Sequence, residues 1–221
     1  MTMKITKIIK NSMIDYPGHL ACVVFTNGCN WNCWYCQNKG IQDLTKDLTE
    51  EFFDFLSQRK GWLDGVVICG GEPTIHPELI DFCRRIKALG FDIKLDTNGT
   101  NPNLLEALIS QQLIDYVAMD IKAPLKKLPS IIQCQNSIDS ITKSISLLMQ
   151  NKVKFEFRTT VTPDLNLYDI FKIVNSIKGA NYFLQPYRKP DHLLSAPEPL
   201  SLEILQKMLN LCNQITPTTL R

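Results

Sequence analysis

Three cysteines lie within eight residues in the first part of the chain, at Cys29, Cys33 and Cys36. Three thiolates on one short loop can hold a cubane iron-sulfur cluster, and a loop with three ligands instead of four leaves one iron open to bind another molecule. An open iron favours chemistry over simple electron storage. The spacing therefore predicts a catalytic cluster held by these three cysteines.

Two other interpretations of this cysteine loop stay open. A structural zinc site needs a fourth Cys or His ligand at a matching short spacing, and the nearest downstream candidates are Cys69 and His76. A disulfide framework is typical of secreted proteins, and residues 1–10 lack the apolar core of a signal peptide. The remaining five cysteines occur singly, several in apolar segments typical of buried thiols.

The composition is that of an ordinary globular protein. The 221 residues, 44% of them hydrophobic, fit one domain over residues 1–221. The 24 basic and 22 acidic residues give a net charge of +2 without long runs of one sign, and no stretch reaches membrane-spanning length. We therefore expect a cytoplasmic protein that binds neither nucleic acid nor a membrane.

Short apolar runs alternate with amphipathic stretches along most of the chain. The runs predict six strands, at residues 21–26, 65–69, 92–97, 116–121, 154–161 and 182–186. The amphipathic stretches predict helices at residues 50–59, 77–89, 104–111, 137–150 and 167–177, and a last helix after Ser201.

Alternation of strands and helices predicts a parallel sheet with right-handed crossovers, and periodicity alone leaves an incomplete barrel and a doubly wound sheet as alternatives. The polar and glycine-rich motifs lie at or just after strand ends. Because ligands bind at the carboxyl ends of parallel strands, we expect these motifs to converge. They are the cysteine loop, Gly-Gly-Glu-Pro at residues 70–73, Asp-Thr-Asn-Gly at residues 96–99 and Asp-Ile-Lys at residues 120–122.

The Cys-x3-Cys-x2-Cys loop, with Tyr35 before its last cysteine, resembles the radical S-adenosylmethionine (SAM) family, and Gly-Gly-Glu-Pro downstream strengthens the match. The resemblance implies a partial (β/α)6 barrel of parallel strands. It also implies a 4Fe-4S cluster whose open iron is chelated by the amino and carboxylate groups of SAM. Reductive cleavage of SAM then yields methionine and a 5'-deoxyadenosyl radical.

The resemblance further implies which residues bind SAM. Gly70 and Gly71, with Glu72 beside them, let backbone carbonyls approach the ligand ammonium because no side chain intervenes. Lys122 offers a compact charge for the ligand carboxylate, and Arg158 offers a planar second contact.

Three further residues are expected at the cofactor site, each with a simpler alternative. Asp96 and Asp120 resemble acidic positions that hold a small cation near the ligand, although Asp120 and Lys122 could form an ordinary surface pair. Asn98 is also expected to contact the cofactor, although Asn98-Gly99 could form only a turn.

Within the family, Ile-Asp-Tyr-Pro-Gly at residues 14–18 and Asp-Ile-Lys at residues 120–122 resemble activating proteins of glycyl-radical enzymes. Over about residues 4–188 the resemblance is greatest to activating proteins of anaerobic ribonucleoside-triphosphate reductase. It implies one cluster, a glycyl-radical enzyme as protein substrate and a flavodoxin or ferredoxin-type reductant. Arg188 departs from the pyruvate formate-lyase activase pattern, which has histidine there.

Three classes of function therefore remain open. The first is activation of a partner protein by removal of a hydrogen atom from a glycine. The second is radical chemistry on a small molecule. The third is a non-catalytic iron-sulfur or zinc module.

Overall fold

The computed structural model describes residues 2–42, 44–133, 138–190, 193 and 195–221. These contain eight strands and eight α-helices. The strands are β1 (Ile5–Ser12), β2 (Ala21–Thr26), β3 (Gly65–Gly70), β4 (Asp92–Thr97), β5 (Tyr116–Asp120), β6 (Lys154–Val161), β7 (Tyr182–Pro186) and β8 (Thr218–Leu220). The helices are α1 (Lys39–Gln42), α2 (Thr49–Ser57), α3 (Leu79–Ala88), α4 (Pro102–Ser110), α5 (Leu128–Ile132), α6 (Ile138–Leu148), α7 (Leu167–Ser176) and α8 (Leu202–Asn213).

Strands that are neighbours in the sheet are also neighbours along the chain, from β1 to β8. β2, β3 and β4 pair in parallel, as do β6, β7 and β8, whereas β1 pairs antiparallel to β2. All six residues of β2 are buried, which is typical of a parallel strand covered on both faces. The six strands predicted from the sequence are confirmed as β2 to β7, and β1 and β8 add two that were not predicted.

The predicted helices are confirmed with boundaries that differ by a few residues. Polar side chains begin three of them: Asn101 Oδ1 accepts from the Leu104 amide, Asn166 forms a capping box with Asp169, and Ser201 caps α8. α6 begins at Ile138, and the predicted start at Ser137 lies outside the described residues. None of the helices in the described ranges has the length and apolar composition that crossing a membrane requires.

The chain divides into two compact units. The first unit is Met1–Asn30, Asn38–Ala118 and Ser140–Lys154, and the second unit is Trp31–Gln37, Met119–Asp139 and Phe155–Arg221. The first contains β1 to β4, and its core includes fully buried Phe52 and Ile93. The second contains β6 to β8, and its core includes fully buried Phe157 and Leu184. The single domain predicted from length stays a prediction.

Candidate functional site

In the first unit, three consecutive backbone carbonyls lead into Cys29, and each accepts a hydrogen bond from the segment that follows β3. The bonds run from Gly71 N to Thr26 O at 3.0 Å, from His76 Nε2 to Asn27 O at 2.8 Å and from Glu72 N to Gly28 O at 2.9 Å. We call residues 26–28 with residues 71–76 the carbonyl clamp. It fixes the path of the backbone immediately before the first predicted cluster ligand.

Two glycines make this close approach possible. A Cβ on Gly71 would lie 1.5 Å from Gly28 O, so no other residue fits at that position. Gly70 has φ +116°, which L side chains rarely adopt, and a Cβ there would lie 2.3 Å from Thr26 N. Gly70 O also accepts a hydrogen bond from Asn38 Nδ2 at 3.1 Å. Gly70 and Gly71 therefore join the end of β3 to the residues on both sides of the cysteine loop.

The carboxylate of Glu72 is buried and fully engaged. It accepts from the amide and hydroxyl of Thr74, from Thr97 Oγ1 at 2.7 Å and from the Asn98 amide at 2.6 Å. Burial raises the pKa of Glu72, and these donors oppose the rise because they stabilise the charged form. Glu72 thus joins the end of β3 to the end of β4.

The end of β4 also contacts the cysteine loop. Asn98 Nδ2 donates to Asn30 Oδ1 at 2.9 Å, and Asn30 Nδ2 donates to Thr100 Oγ1 at 2.7 Å. Asp96, two residues before Asn98, accepts from Lys94 Nζ. The first unit therefore brings the residues on both sides of Cys29 together with the carboxyl ends of β3 and β4.

The motif at residues 15–18 lies at the other end of the strands. Tyr16 stacks on His19 with ring centroids 4.0 Å apart, and His19 Nε2 lies 3.2 Å from Asp92 Oδ2 at the start of β4. A Cβ on Gly65, which begins β3, would lie 2.9 Å from the Tyr16 ring. Because β2 separates the motif from the cysteine loop by six residues, about 20 Å, the motif packs the amino ends of the strands.

In the second unit, one carboxylate holds two cationic side chains. Asp120 Oδ2 accepts from Lys122 Nζ at 2.7 Å, and Asp120 Oδ1 accepts from Arg158 Nε at 2.9 Å. Burial disfavours the charged carboxylate, but the guanidinium and the ammonium outweigh it and lower the pKa of Asp120 to about 2. Burial also disfavours the charged Lys122, and Asp120 reverses that effect and raises the pKa of the ammonium. The three groups carry a net charge of about +1.

This charged group lies beside the second half of the cysteine loop. Lys122 Nζ is 5.8 Å from the centroid of the buried Tyr35 ring. Burial raises the pKa of the Cys33 thiol, and the nearby Lys122 charge offsets part of that rise because it favours the thiolate. The Tyr35 hydroxyl is buried and has no hydrogen-bond partner among the residues the structure describes.

Segments that follow three strands anchor residues 31–37. The bonds run from Asn32 N to Ile132 O at 3.0 Å, from Trp34 Nε1 to Asp164 Oδ2 at 2.9 Å and from Gln37 Nε2 to Arg188 O at 2.7 Å. These partners follow β5, β6 and β7. Arg188 contributes its backbone carbonyl, so this contact does not depend on which side chain residue 188 carries.

The three loop cysteines differ from most of the other thiols. Cys29, Cys33 and Cys36 are partly exposed, whereas Cys22, Cys83 and Cys212 are buried. Burial raises the pKa of each of these last three thiols to about 12. Thiols of that kind are inert, so these three buried cysteines are not candidates for the chemistry expected of the loop.

Comparison with known proteins matches residues 23–177 to the radical SAM superfamily. The chain belongs to this superfamily. One relative, from Methanocaldococcus jannaschii, is provisionally named a glycyl-radical enzyme activating enzyme. It is 37% identical to this chain over 203 residues, which are 86% of this chain and 82% of the relative. A relative from Pyrococcus horikoshii, whose name provisionally describes a GTP 3',8-cyclase, is 26% identical over 166 residues. These are 74% of this radical SAM chain but only 53% of the cyclase.

The radical SAM chain is also similar to a solved structure of Streptococcus suis SuiB bound to S-adenosylmethionine. The TM-score is 0.69 at 15% identity, and the match covers 87% of this chain and 48% of SuiB. At that identity the likeness shows the fold alone. With the mostly parallel sheet, it confirms the predicted α/β fold class of the radical SAM type.

Membership of the radical SAM family implies a 4Fe-4S cluster and SAM, and the donors in this chain fit both. The cysteine loop offers three partly exposed thiols, the number that leaves one iron open. The Asp120, Lys122 and Arg158 group offers two cationic side chains of the kind that bind a ligand carboxylate. The buried Tyr35 hydroxyl, without a protein partner in the described residues, leaves a donor for a bound molecule.

The predicted small cation near Asp96 and Asp120 gains no support. Asp96 pairs with Lys94, and Asp120 pairs with Lys122 and Arg158. Within the described part of the chain, no three His, Cys, Asp or Glu side chains are grouped as they would be around a bound metal ion, so the fit of the three loop cysteines to a cluster rests on their type and number.

Sequence reasoning missed His76, Asn30 and Thr97, which support the site in the first unit. Thr97 lies within the Asp-Thr-Asn-Gly motif and Asn30 lies within the cysteine loop, so their positions could have suggested a supporting role. His76 follows Gly-Gly-Glu-Pro by three residues, but no pattern in the sequence indicates that its ring turns back to residue 27.

Proposed function

We propose that this chain is an activating enzyme that cleaves SAM reductively and generates a glycyl radical on a partner enzyme. The observation that carries the proposal is the likeness to the M. jannaschii relative, which extends over most of both chains. The partner that we propose is anaerobic ribonucleoside-triphosphate reductase. This assignment rests on the resemblance of about residues 4–188 to its activating proteins, on the residues 15–18 within that span and on the expectation of a single cluster.

In this proposal Cys29, Cys33 and Cys36 hold the 4Fe-4S cluster. When bound, the reduced cluster would pass one electron to SAM, and SAM would then supply a 5'-deoxyadenosyl radical and leave methionine. The chain's own contribution is to hold the loop from both sides, through the carbonyl clamp before Cys29 and the anchors on residues 31–37. Each half of the loop is thereby held within its own unit before the cofactor binds.

Lys122 and Arg158 then orient SAM by its carboxylate. Asp120 accepts a hydrogen bond from each of these two side chains and so holds both of them in place. Tyr35 contributes its ring beside Lys122 and its hydroxyl as a donor. A small cation is no part of the proposal, because Asp96 pairs with Lys94 and Asp120 pairs with Lys122 and Arg158.

Gly70, Gly71, Glu72 and Asn98 complete the proposed cofactor site. Their backbone and side-chain contacts support a role in shaping it: the two glycines admit a close backbone approach, and Glu72 ties β3 to β4. We propose that the backbone carbonyl groups of this segment face the SAM ammonium. Asp96 belongs to the same strand end, paired with Lys94.

We also propose a cytoplasmic location and a flavodoxin or ferredoxin-type reductant. In the structure Cys22, Cys83 and Cys212 remain thiols, which suits a reducing compartment. A single electron per SAM cleavage is the amount that such carriers deliver.

One observation favours a second candidate function. The relative named for GTP 3',8-cyclase activity matches three quarters of this chain, so radical chemistry on a small molecule is the alternative. Activation of a different glycyl-radical enzyme is a narrower alternative within the first proposal.

Two measurements test the proposal. Anaerobic reconstitution should give about four irons and four sulfides per chain, and Cys33→Ser should lower both. Formation of 5'-deoxyadenosine by the reduced protein should then rise when the reductase is added. Stoichiometric zinc without sulfide would eliminate the cluster, and turnover that rises only with GTP or another small molecule would favour the second candidate.

A further inference from the structure

His76 supplies the only side-chain donor among the three bonds of the carbonyl clamp. The other two donors are the backbone amides of Gly71 and Glu72, which no substitution removes cleanly. The His76 ring is fully buried, and its Nε2 lies 2.8 Å from Asn27 O. Because a carbonyl oxygen only accepts, Nε2 carries the hydrogen. Nδ1 is buried without a hydrogen-bond partner among the described residues.

The backbone of His76 is fixed on both sides. Its amide donates to Pro73 O at 3.2 Å, at the end of the 3-10 turn Pro73–Ile75, and its carbonyl accepts from the Leu79 amide at 3.1 Å at the start of α3. A buried imidazole loses its bonds to water, and this cost is offset only where the ring has a partner. The ring therefore has a defined position, in which it is hydrogen-bonded to the Asn27 carbonyl.

Asn27 is held from the opposite side by the residues around the start of β1. Its amide donates to Lys4 O at 3.1 Å, its Oδ1 accepts from the Lys4 amide at 2.8 Å, and its Nδ2 donates to Thr2 O at 3.2 Å. His76 holds the remaining polar group, the carbonyl. Because a peptide unit is planar, fixing Asn27 O also fixes the orientation of the Asn27–Gly28 peptide. The chain continues from this peptide to Cys29 through Gly28, which has φ +67°.

We infer that His76 is a positioning residue for Cys29, acting through the Asn27 carbonyl and contacting neither SAM nor substrate. The inference rests on the proposed function, in which Cys29 is a cluster ligand. Without the His76 donor, the carbonyl of Asn27 is left buried and unbonded, and the Asn27–Gly28 peptide can rotate. Cys29 then samples positions from which it cannot bind iron.

Three variants separate positioning from general packing. His76→Leu fills the space without a donor, and His76→Gln restores an N–H at a similar reach. His19→Leu is the matched control, because His19 Nδ1 also contacts a backbone carbonyl, that of Pro17, but at the amino ends of the strands. For each variant we would measure amide hydrogen exchange in the peptide covering residues 24–30 of the cluster-free protein. We would also measure the rate of iron loss to a chelator and the electron paramagnetic resonance (EPR) spectrum of the reduced cluster.

We expect His76→Leu to speed both exchange and iron loss about tenfold, as loss of a buried bond would. We expect it to broaden the EPR spectrum of the cluster, and we expect His76→Gln to restore most of each property. His19→Leu should leave all three unchanged. Two results in which wild-type protein takes up the cluster would overturn the inference about His76 and leave the proposed function standing. In the first, His76→Leu behaves like wild type. In the second, His76→Gln fails as His76→Leu does. If wild-type protein takes up no cluster, the proposed function fails with it.

Discussion

The ring of Tyr16 lies against the backbone of Gly65, so close that a Cβ on residue 65 would be 2.9 Å from Cε1 of Tyr16. Tyr16 belongs to the motif at residues 15–18 that most suggested a glycyl-radical activating protein. Its packing against the start of β3 places this motif at the amino ends of the strands of the first unit, about one strand length from residues 26–30. The motif therefore contributes to stability.

Substitution of Gly65 tests this role. Gly65→Ala should lower the free energy of unfolding by about 1–3 kcal/mol, because the added methyl group meets both Asp92 O and the Tyr16 ring. Urea unfolding of the cluster-free protein measures the change. Gly40→Ala, where nothing lies within 4 Å of the added Cβ, is the control and should not destabilise. Equal urea midpoints for the two variants would disprove the close packing.

The Asp120 carboxylate should make stability depend on pH. Its pKa is about 2 in the folded chain and 3.8 for an ordinary aspartate, so the charged form stabilises the fold above about pH 4. This contribution is lost as the pH falls through the folded pKa. Asp120→Asn should therefore cost about 2 kcal/mol at pH 7 and progressively less from pH 4 toward pH 2.

The control for Asp120 is a surface pair. Glu203→Gln removes an exposed ion pair with Lys207 and should change stability by only about a few tenths of a kcal/mol. Unfolding by urea across a pH series gives both values. A difference between wild type and Asp120→Asn that stayed constant down to pH 2 would contradict the assigned pKa.

Lys122 should contribute to SAM affinity. Lys122→Ala should weaken SAM binding by about tenfold or more, since a charge-assisted bond contributes about 1.5–3 kcal/mol, and should leave the iron content unchanged. Calorimetry with the anaerobic, cluster-loaded protein measures the affinity. Lys189→Ala, which removes a lysine paired with Glu198, controls for the loss of charge. Unchanged affinity in the Lys122 variant would remove this residue from the SAM site.

Arg188 stands where the pyruvate formate-lyase activase pattern has histidine, and we expect its side chain to have little effect on cluster binding by the cysteine loop. Arg188→Ala keeps the carbonyl that accepts from Gln37 Nε2, so cluster content should match wild type. Gln37→Leu removes the donor and should speed iron loss to a chelator. Equal rates in the two variants would show that this bond does not hold the loop.

The sequence predicted the strands and helices that have strong patterns, and it missed the weak ones. β2 is continuously apolar and was found, whereas β1 exposes Lys7 and Lys10 as edge strands often do, and this hides the alternation. β8 has only three residues, too few to give a period. The short helices α1 and α5 lack an amphipathic pattern for the same reason.

For the site, motif residues were easier to predict than their contacts. Asp120, Lys122 and Arg158 were identified, and the second unit brings all three together. The role of Glu72 and the contact of His76 with Asn27 depend on how β3 and β4 end beside the residues before Cys29, and spacing along a chain does not encode that arrangement. Tyr16 was identified, but its position at the amino ends required the structure.

The proposed activating function is tested most directly by the appearance of a glycyl radical on the partner enzyme. Reduced, cluster-loaded protein should be incubated anaerobically with SAM and anaerobic ribonucleoside-triphosphate reductase, and EPR spectra recorded with and without SAM. We expect a glycine-centred doublet on the reductase that requires SAM and is absent with Cys33→Ser. No doublet, with 5'-deoxyadenosine formed only when a small-molecule substrate is supplied, would contradict it.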